Sequence, residues 1–147
     1  MLETWLVNAA APFILTGRLK PLMMQSIHPR RFVVNVSAME GQFARAGKTV
    51  HHPHTNMAKA ALNMLTRTSA ADLAGEGIYM NSVDTGWITD EKPLPRAERV
   101  RKEAGFYTPL DIIDAAARIY DPIATGINDS TEPLFGHFLK DYRPFAW

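Results

Sequence analysis

Residues 31–37 have the sequence RFVVNVS, and this short run is the clearest indication of the fold. Three valines and a phenylalanine in seven positions are typical of a strand that is buried on both faces. A second run of this kind, IYMNSV at residues 78–83, follows a long helical pattern. Two buried strands that are joined by a helix lie parallel, and the connection between them is right-handed.

The rest of the chain continues this alternation of strands and helices. A weaker last strand is predicted at residues 134–139, and residues 38–53 are predicted to form a loop. Helices are predicted at residues 3–25, 54–73, 96–103 and 109–120. The sequence therefore predicts one α/β domain over residues 1–147, with a parallel sheet of three strands and flanking helices. Because RFVVNVS is too apolar for an exposed edge, the chain looks as if it starts in the middle of a fold.

The composition excludes several classes of protein. Sixteen basic and fifteen acidic residues give the 147-residue chain a formal net charge of +1, which argues against a nucleic-acid or membrane-surface protein. There are no cysteines, so disulfides, thiolate metal sites and cysteine nucleophiles are excluded. No apolar stretch is long enough to span a bilayer, and the N-terminus lacks the basic start of a signal peptide. We expect a cytoplasmic protein.

Four pieces of the chain, taken in order, resemble the short-chain dehydrogenase/reductase family. They are WLVN at 5–8, RFVVNVS at 31–37, MAKAAL at 57–62, and GIYMNSV at 77–83 followed by TGW at 85–87. The resemblance implies the C-terminal part of a Rossmann-type, doubly wound fold, with helices 3–25 and 54–73 on one face of the sheet and helix 110–120 on the other. The glycine-rich turn that holds the dinucleotide pyrophosphate in this family has no counterpart here.

The resemblance also implies an activity and a set of site residues. The family comprises oxidoreductases that use NAD or NADP, and small carbonyl or alcohol compounds are the implied substrates. Asn8 matches the asparagine of the catalytic set, and Lys59 matches the lysine that binds the nicotinamide ribose. Thr85, Gly86 and Thr89 fall at the turn that closes over the nicotinamide.

Two catalytic positions depart from the family pattern. The active tyrosine lies four residues before the lysine, and that position is Thr55 in this chain. An aliphatic hydroxyl has a far higher pKa than a phenol, so it cannot relay a proton in the same way. The catalytic serine is expected at Ala38, and the nearest hydroxyl, Ser37, is one residue earlier. A shift of one residue turns a strand side chain to the opposite face.

The sequence HHPH at residues 51–54 has two interpretations. Histidine titrates near neutral pH, so His54 could replace the tyrosine beside Thr55 as the proton donor. The alternative is a solvated loop that precedes a helix. No carboxylate stands at a metal-ligand spacing nearby, so no metal site is predicted.

Two functions stay open from the sequence. The first is an oxidoreductase whose glycine-rich half comes from upstream sequence or from a partner chain. The second is a non-catalytic family member that serves in binding or structure. In the family, the first two helices form the main dimer interface, so the resemblance also implies a homo-oligomer through helices 3–25 and 54–73.

Overall fold

The computed structural model describes residues 1–88, 105 and 108–147. Within these residues, four strands form one sheet in the order β1-β2-β3-β4. They are β1 (Arg31–Ser37), β2 (Ile78–Asp84), β3 (Phe138–Lys140) and β4 (Arg143–Phe145). β1, β2 and β3 are parallel, and β4 is antiparallel to β3. The α/β fold and the parallel arrangement of β1, β2 and β3 are therefore confirmed, within a sheet that β4 makes mixed.

The helices lie close to their predicted positions. α1 is continuous through an α-helical segment Leu2–Trp5, a π-helical segment Leu6–Ala10 and an α-helical segment Ala11–Met24. α2 spans Pro53–Gly75, and α3 spans Ile112–Asn128. Within the predicted loop at 38–53, Met39–Gly41 form a 3₁₀ turn. The helix predicted at 96–103 falls outside the described residues.

The helices cover both faces of the sheet, as predicted. On one face, Ala70 and Leu73 of α2 pack on Ile78 and Met80 of β2 in the hydrophobic core. Met23, near the end of α1, packs against the same core cluster. On the other face α3 lies close to β1, where a Cβ on Gly126 would stand 2.5 Å from the ring of Phe32. Glycine at position 126 is thus what allows α3 to approach the sheet.

A buried hydroxyl links α2 to both long strands. The Thr66 hydroxyl accepts a hydrogen bond from the Asn35 side-chain amide of β1 at 2.9 Å. The same hydroxyl lies 2.8 Å from the hydroxyl of Ser82 on β2 and 3.2 Å from the carbonyl of Leu62. Thr66 and Ser82 are fully buried, so each of these polar groups depends on the others for its hydrogen bonds.

The prediction of three strands was wrong by one, because β4 was missed. β4 pairs with β3 through the two-residue turn Asp141-Tyr142, in which both residues have positive φ (48° and 66°). This is the geometry of a type I′ hairpin turn, which Asn-Gly or Asp-Gly normally signals. The sequence has no glycine there, and Pro144 argues against a strand.

The last parallel strand is shorter than predicted. β3 begins at Phe138, whereas the strand was predicted at 134–139. The side chain of Asn81 donates to the carbonyl of Leu134 at 2.7 Å and accepts from the amide of His137 at 3.1 Å. A side chain therefore provides hydrogen bonds to residues 134 and 137, just before the ladder of β3 begins.

Helix α3 starts later and ends later than predicted. Its start is set by Asp111, whose carboxylate accepts from the amides of Ile113 and Asp114 while Asp114 bonds back to the Asp111 amide. This reciprocal capping box defines the helix start more strongly than Pro109 does. The helix then continues through the buried Pro122 to Asn128, although proline removes one helical hydrogen bond.

The Thr66 hydroxyl can be tested by substitution. We expect Thr66→Val to lower the free energy of unfolding by about 1–3 kcal/mol, because it leaves the amide of Asn35 and the hydroxyl of Ser82 short of partners in the core. Thr68→Val is the matched control, since Thr68 is exposed on the same helix. We expect it to change stability by less than about 0.5 kcal/mol. Equal urea midpoints for the two variants would contradict this account.

Candidate functional site

The candidate site lies where the parallel strands end. The register pairs Ser37, the last residue of β1, with Asp84, the last residue of β2. In open α/β sheets, ligands bind outside the carboxyl ends of the strands. The Asp84 carboxylate accepts from the amide of Met39 at 3.3 Å and lies 3.3 Å from the ammonium group of Lys140. Asp84 therefore joins the turn after β1 to β3 at this edge.

The turn after β1 packs directly on the backbone of α2. A Cβ on Gly41 would lie 2.7 Å from the carbonyl carbon of Lys59 and 2.9 Å from the amide nitrogen of Ala60. Only glycine permits so close an approach between two stretches of backbone. Next to it, the buried Gln42 donates to the carbonyl of Ala146 at 2.7 Å, which holds the last residues of the chain near the turn.

The structure brings Asn8 and Lys59 to one cavity. This cavity, of about 460 Å³, lies between α1 and β1, and its walls include both side chains. The Lys59 ammonium donates to the carbonyl of Val36 near the end of β1 at 2.7 Å. Lys59, which the resemblance matches to a ribose-binding lysine, therefore reaches from α2 to the carboxyl end of β1.

Asn8 occupies the π-helical segment of α1. Its side-chain amide donates to the carbonyl of Thr4 at 3.1 Å, one turn earlier. A π-helical turn has wider hydrogen-bonded rings than an α-helical turn, and such turns are frequent at functional sites. The irregular segment coincides with the residue that the family resemblance singles out.

Ser37 lies apart from this pair. Its hydroxyl donates to the side-chain oxygen of Asn63 on α2 at 2.5 Å, and both side chains are buried. The side-chain nitrogen of Asn63 is buried and has no hydrogen-bond partner among the described residues. The hydroxyl of Ser37 is therefore engaged with the helix, and Ser37 does not line the cavity that Asn8 and Lys59 share.

His54 and Thr55 lie in the first turn of α2. Thr55 is one helical turn before Lys59, so the two residues share a face of the helix. The residue before the helix, His52, has a left-handed backbone with φ of 56°, and its ring centroid is 6.3 Å from that of His54. Within the described part of the chain, no three His, Cys, Asp or Glu side chains are grouped so that they could hold a metal ion.

Thr85 and Gly86 follow β2 directly. Gly86 has a φ of 75°, and a Cβ there would lie 2.5 Å from Leu110. The turn thus needs glycine for its backbone conformation and for the contact with Leu110. Thr89, predicted to belong to the same cofactor-binding turn, lies outside the described residues.

Comparison with known proteins identifies the family. Residues 1–118 match a family model described as enoyl-(acyl carrier protein) reductase. The chain belongs to the short-chain dehydrogenase/reductase family. The carbonyl reductase Sniffer of D. melanogaster has the same fold, with a TM-score of 0.69 and 24% identity over 100% of this chain and 57% of that chain. An NADPH-bound carbonyl reductase from chicken fatty liver gives a TM-score of 0.68 and 20% identity, again over 100% of this chain and 57% of that chain.

This short-chain dehydrogenase/reductase chain is shorter than its relatives. It is 38% identical over 98 residues to the uncharacterized protein R665 of Acanthamoeba polyphaga mimivirus, which covers 63% of this chain and 20% of that protein. The chain thus spans a fifth of this relative and little more than half of the two carbonyl reductases. Among the residues described, none of the helices combines the length and the hydropathy that crossing a membrane requires.

Two residues of the site were missed from the sequence. Asp84 follows the apolar run IYMNSV, and a carboxylate that ends a buried strand is a usable signal for a polar contact at the sheet edge. Asn63 gave no such signal, because its contact with Ser37 depends on how α2 packs against the sheet. Both side chains hold the ends of the strands in place.

The close packing of Gly41 gives a direct test of this site. Gly41→Ala should lower the free energy of unfolding by about 1–3 kcal/mol, because the new Cβ pushes the turn away from the backbone of α2. The melting temperature should fall with it. Gly17→Ala is the control, since a Cβ there meets nothing within 4 Å. That change should stabilise helix α1 by up to about 1 kcal/mol. A thermal melt of each variant measures the change in melting temperature. Equal changes in the two variants would contradict the packing of Gly41 on α2.

Proposed function

We propose that this chain forms the nicotinamide and substrate end of an NAD(P)-dependent oxidoreductase that acts on small carbonyl or alcohol compounds. The observation that carries the proposal is the meeting of Asn8 and Lys59 at one cavity beside the carboxyl end of β1. The NADPH-bound carbonyl reductase from chicken has the same fold, which supports a nicotinamide cofactor without deciding between NAD and NADP.

The described residues fit one end of the cofactor. An ammonium group at the carboxyl end of a parallel strand suits the hydroxyls of a ribose, and Lys59 supplies one. The pyrophosphate end has no comparable group in the described part of the chain. Gly75 and Gly77, the nearest glycine pair, end α2 and enter β2, and Gly77 has the positive φ (73°) expected of a helix C-terminus. We propose that residues other than the described ones hold the pyrophosphate.

The chain's own side chains would position the reactants. A bound nicotinamide dinucleotide exchanges a hydride with the substrate carbon. Lys59 would bind the ribose, and the side chain of Asn8 would line the part of the cavity where the substrate binds. For proton transfer to the substrate oxygen, we propose the imidazole of His54, in the first turn of α2. We further propose that Thr85, Gly86 and Thr89 contact the nicotinamide. Ser37 would join the catalytic set by exchanging its hydrogen bond to Asn63 for one to the substrate.

A homo-oligomer through α1 and α2 and a cytoplasmic location belong to the same proposal. Apolar side chains are exposed along both helices, including Phe13 and Leu22 on α1 and Met64 on α2. Exposed apolar surface of this extent is typical of an interface. The absence of cysteine fits a reducing compartment.

A second candidate function is binding without catalysis. It is favoured by three positions: Thr55 and Ala38 lack the expected phenol and hydroxyl, and the hydroxyl of Ser37 is bonded to Asn63. In that case the chain keeps the family fold and has lost its proton relay. Binding of the dinucleotide and turnover must therefore be measured separately.

A thermal melt with NADPH or NADH tests cofactor binding. A ligand that binds only the folded state raises the free energy of unfolding, by about 2.7 kcal/mol at a concentration a hundredfold above Kd. The melting temperature rises with it. We expect an upward shift for the chain and a smaller shift for Lys59→Met. Lys48→Met is the control, because Lys48 is exposed on the preceding loop and does not line the cavity. A cooperative melt that neither dinucleotide shifts would overturn the oxidoreductase proposal.

Restoring the missing groups gives a gain-of-function test. Thr55→Tyr combined with Ala38→Ser should raise NADPH-dependent reduction of a small aromatic aldehyde by about 10²-fold or more, since a phenol one turn from Lys59 can relay a proton. Thr68→Tyr, on an exposed part of α2, is the control. If His54 is the present proton donor, His54→Ala should abolish the basal rate. An unchanged rate would exclude that role.

A further inference from the structure

An exposed loop, residues 43–52, borders the candidate site, and we call it the rim loop. It begins just after the turn in which Gly41 packs on the backbone of Lys59. It ends at His52, where α2 begins and leads directly to Thr55. Thr55 stands where the family has its proton-donating phenol, so the rim loop lies beside the place that the proposed reaction gives to the substrate.

The segment that contains the rim loop has a local excess of positive charge. Residues 41–71 contain no Asp or Glu, whereas four basic side chains occur among them: Arg45, Lys48, Lys59 and Arg67. The nearly equal numbers of basic and acidic residues in the whole chain, sixteen and fifteen, conceal this separation. A border with charges of one sign attracts ligands of the opposite sign.

Two carboxylates near the rim loop are already ion-paired. The side chain of Glu40 pairs with Arg45, and Asp84, at the same edge of the sheet, lies 3.3 Å from the ammonium group of Lys140. Lys48 instead donates to the backbone carbonyl of Glu40, which is a neutral acceptor. An ammonium group has three N–H donors. Lys48 therefore keeps a positive charge and has further donors for a ligand.

The start of α2 adds hydrogen-bond donors at the end of the rim loop. The first turn of this helix contains no acidic residue, and His52 provides no side-chain cap. The amides at a helix N-terminus carry a partial positive charge, which favours anions. The rings of His51 and His54 each have their centroid 6.3 Å from that of His52. Imidazole N–H groups donate whether the ring is neutral or protonated, so these side chains add to the donors near Thr55.

Two apolar side chains of the rim loop are almost fully exposed. Phe43 is 88% exposed and Val50 is 89% exposed. Between them, Gly47 has a φ of 77°, and a Cβ there would meet nothing within 4 Å, so the loop turns in open space. Apolar surface gains free energy when a ligand covers it and removes it from water. The rim loop therefore offers apolar contacts together with the positive charge of Lys48.

This combination fits a small ligand that has an apolar body and one negative charge. The single ammonium group of Lys48 matches one carboxylate, which accepts charge-assisted hydrogen bonds. A nucleic acid would need a longer row of basic side chains, because its phosphates repeat along the strand. The size of the apolar pair, one phenylalanine and one valine, also suits a small molecule.

We propose that the rim loop selects carbonyl substrates that carry a carboxylate on an apolar body. Lys48 would bind the carboxylate, Phe43 and Val50 would cover the apolar body, and the carbonyl group would lie toward Thr55. This inference rests on the proposed function, since it names the substrate class of the same site.

Two ketones that share one aromatic body, 4-acetylbenzoate and its neutral methyl ester, test the proposal. Each is titrated into the chain without dinucleotide, and amide NMR signals are followed. Both ketones should shift the signals of residues 43–50. At ~20 mM NaCl the carboxylate should bind at least about threefold more tightly than the ester, and at ~0.5 M NaCl this difference should disappear, because salt screens exposed charges.

Four variants separate the charge of the rim loop from its apolar contacts. Lys48→Met should abolish the preference for the carboxylate and leave binding of the ester unchanged. Arg67→Met is the matched control, because Arg67 is an exposed cation of the same segment but lies about three turns beyond Thr55 on α2. Phe43→Ser should weaken binding of both ketones. Ile27→Ser should weaken neither, since Ile27 is 93% exposed but precedes β1 at the opposite end of the strand.

The proposal is overturned by equal affinity for the two ketones, by equal effects of Lys48→Met and Arg67→Met, or by shifts confined to residues outside the rim loop. It is also overturned if vesicles of anionic phospholipid bind the rim loop and the ketones do not. If a dinucleotide raises the melting temperature but the ketones bind equally, this inference alone fails. If the carboxylate is preferred but neither dinucleotide shifts the melt, the oxidoreductase proposal fails and the rim loop remains a carboxylate site.

Discussion

The parallel pairing of β1 with β2 determines where the other parts of the site lie. Seven residue pairs, from Arg31 with Ile78 to Ser37 with Asp84, bring both strands to an end at the same edge. The Thr66 hydroxyl then fixes α2 against both strands at once. With α2 held there, Lys59 reaches the end of β1, and Gly41 allows the following turn to rest on the helix backbone. A shift of this register would break the contacts of Thr66, Lys59 and Gly41 at the same time.

The elements that were predictable from the sequence are those whose local pattern agrees with their packing. RFVVNVS and IYMNSV are apolar runs, and the structure places them as adjacent parallel strands. β4 was not predictable, because its turn Asp141-Tyr142 has positive φ without glycine and the strand contains Pro144. The extent of α3 was also misjudged, since the capping box at Asp111 and the passage through Pro122 depend on particular side chains and not on periodicity.

The candidate site was predictable to a smaller extent. Asn8 and Lys59 were named from family motifs, and the structure places both at one cavity. The surroundings of Ser37 were not predictable, because the direction of a side chain at the end of a strand depends on register, and the partner Asn63 lies 26 positions away in the sequence. Packing between distant segments therefore decides which hydroxyls are free to react, and a single sequence contains little information about it.

The π-helical segment Leu6–Ala10 has a consequence for how this helix can change in evolution. A π turn is in effect an α turn with one residue inserted, so the helix carries a tolerated insertion next to Asn8. Deleting one residue there would restore regular α geometry without breaking the helix. Five residues of a π turn wind through about the angle that four residues wind in an α-helix, so the segments before and after the turn would keep their faces. Only residues inside the turn would change direction, and a change of length by one residue would move Asn8 while the rest of α1 kept its packing.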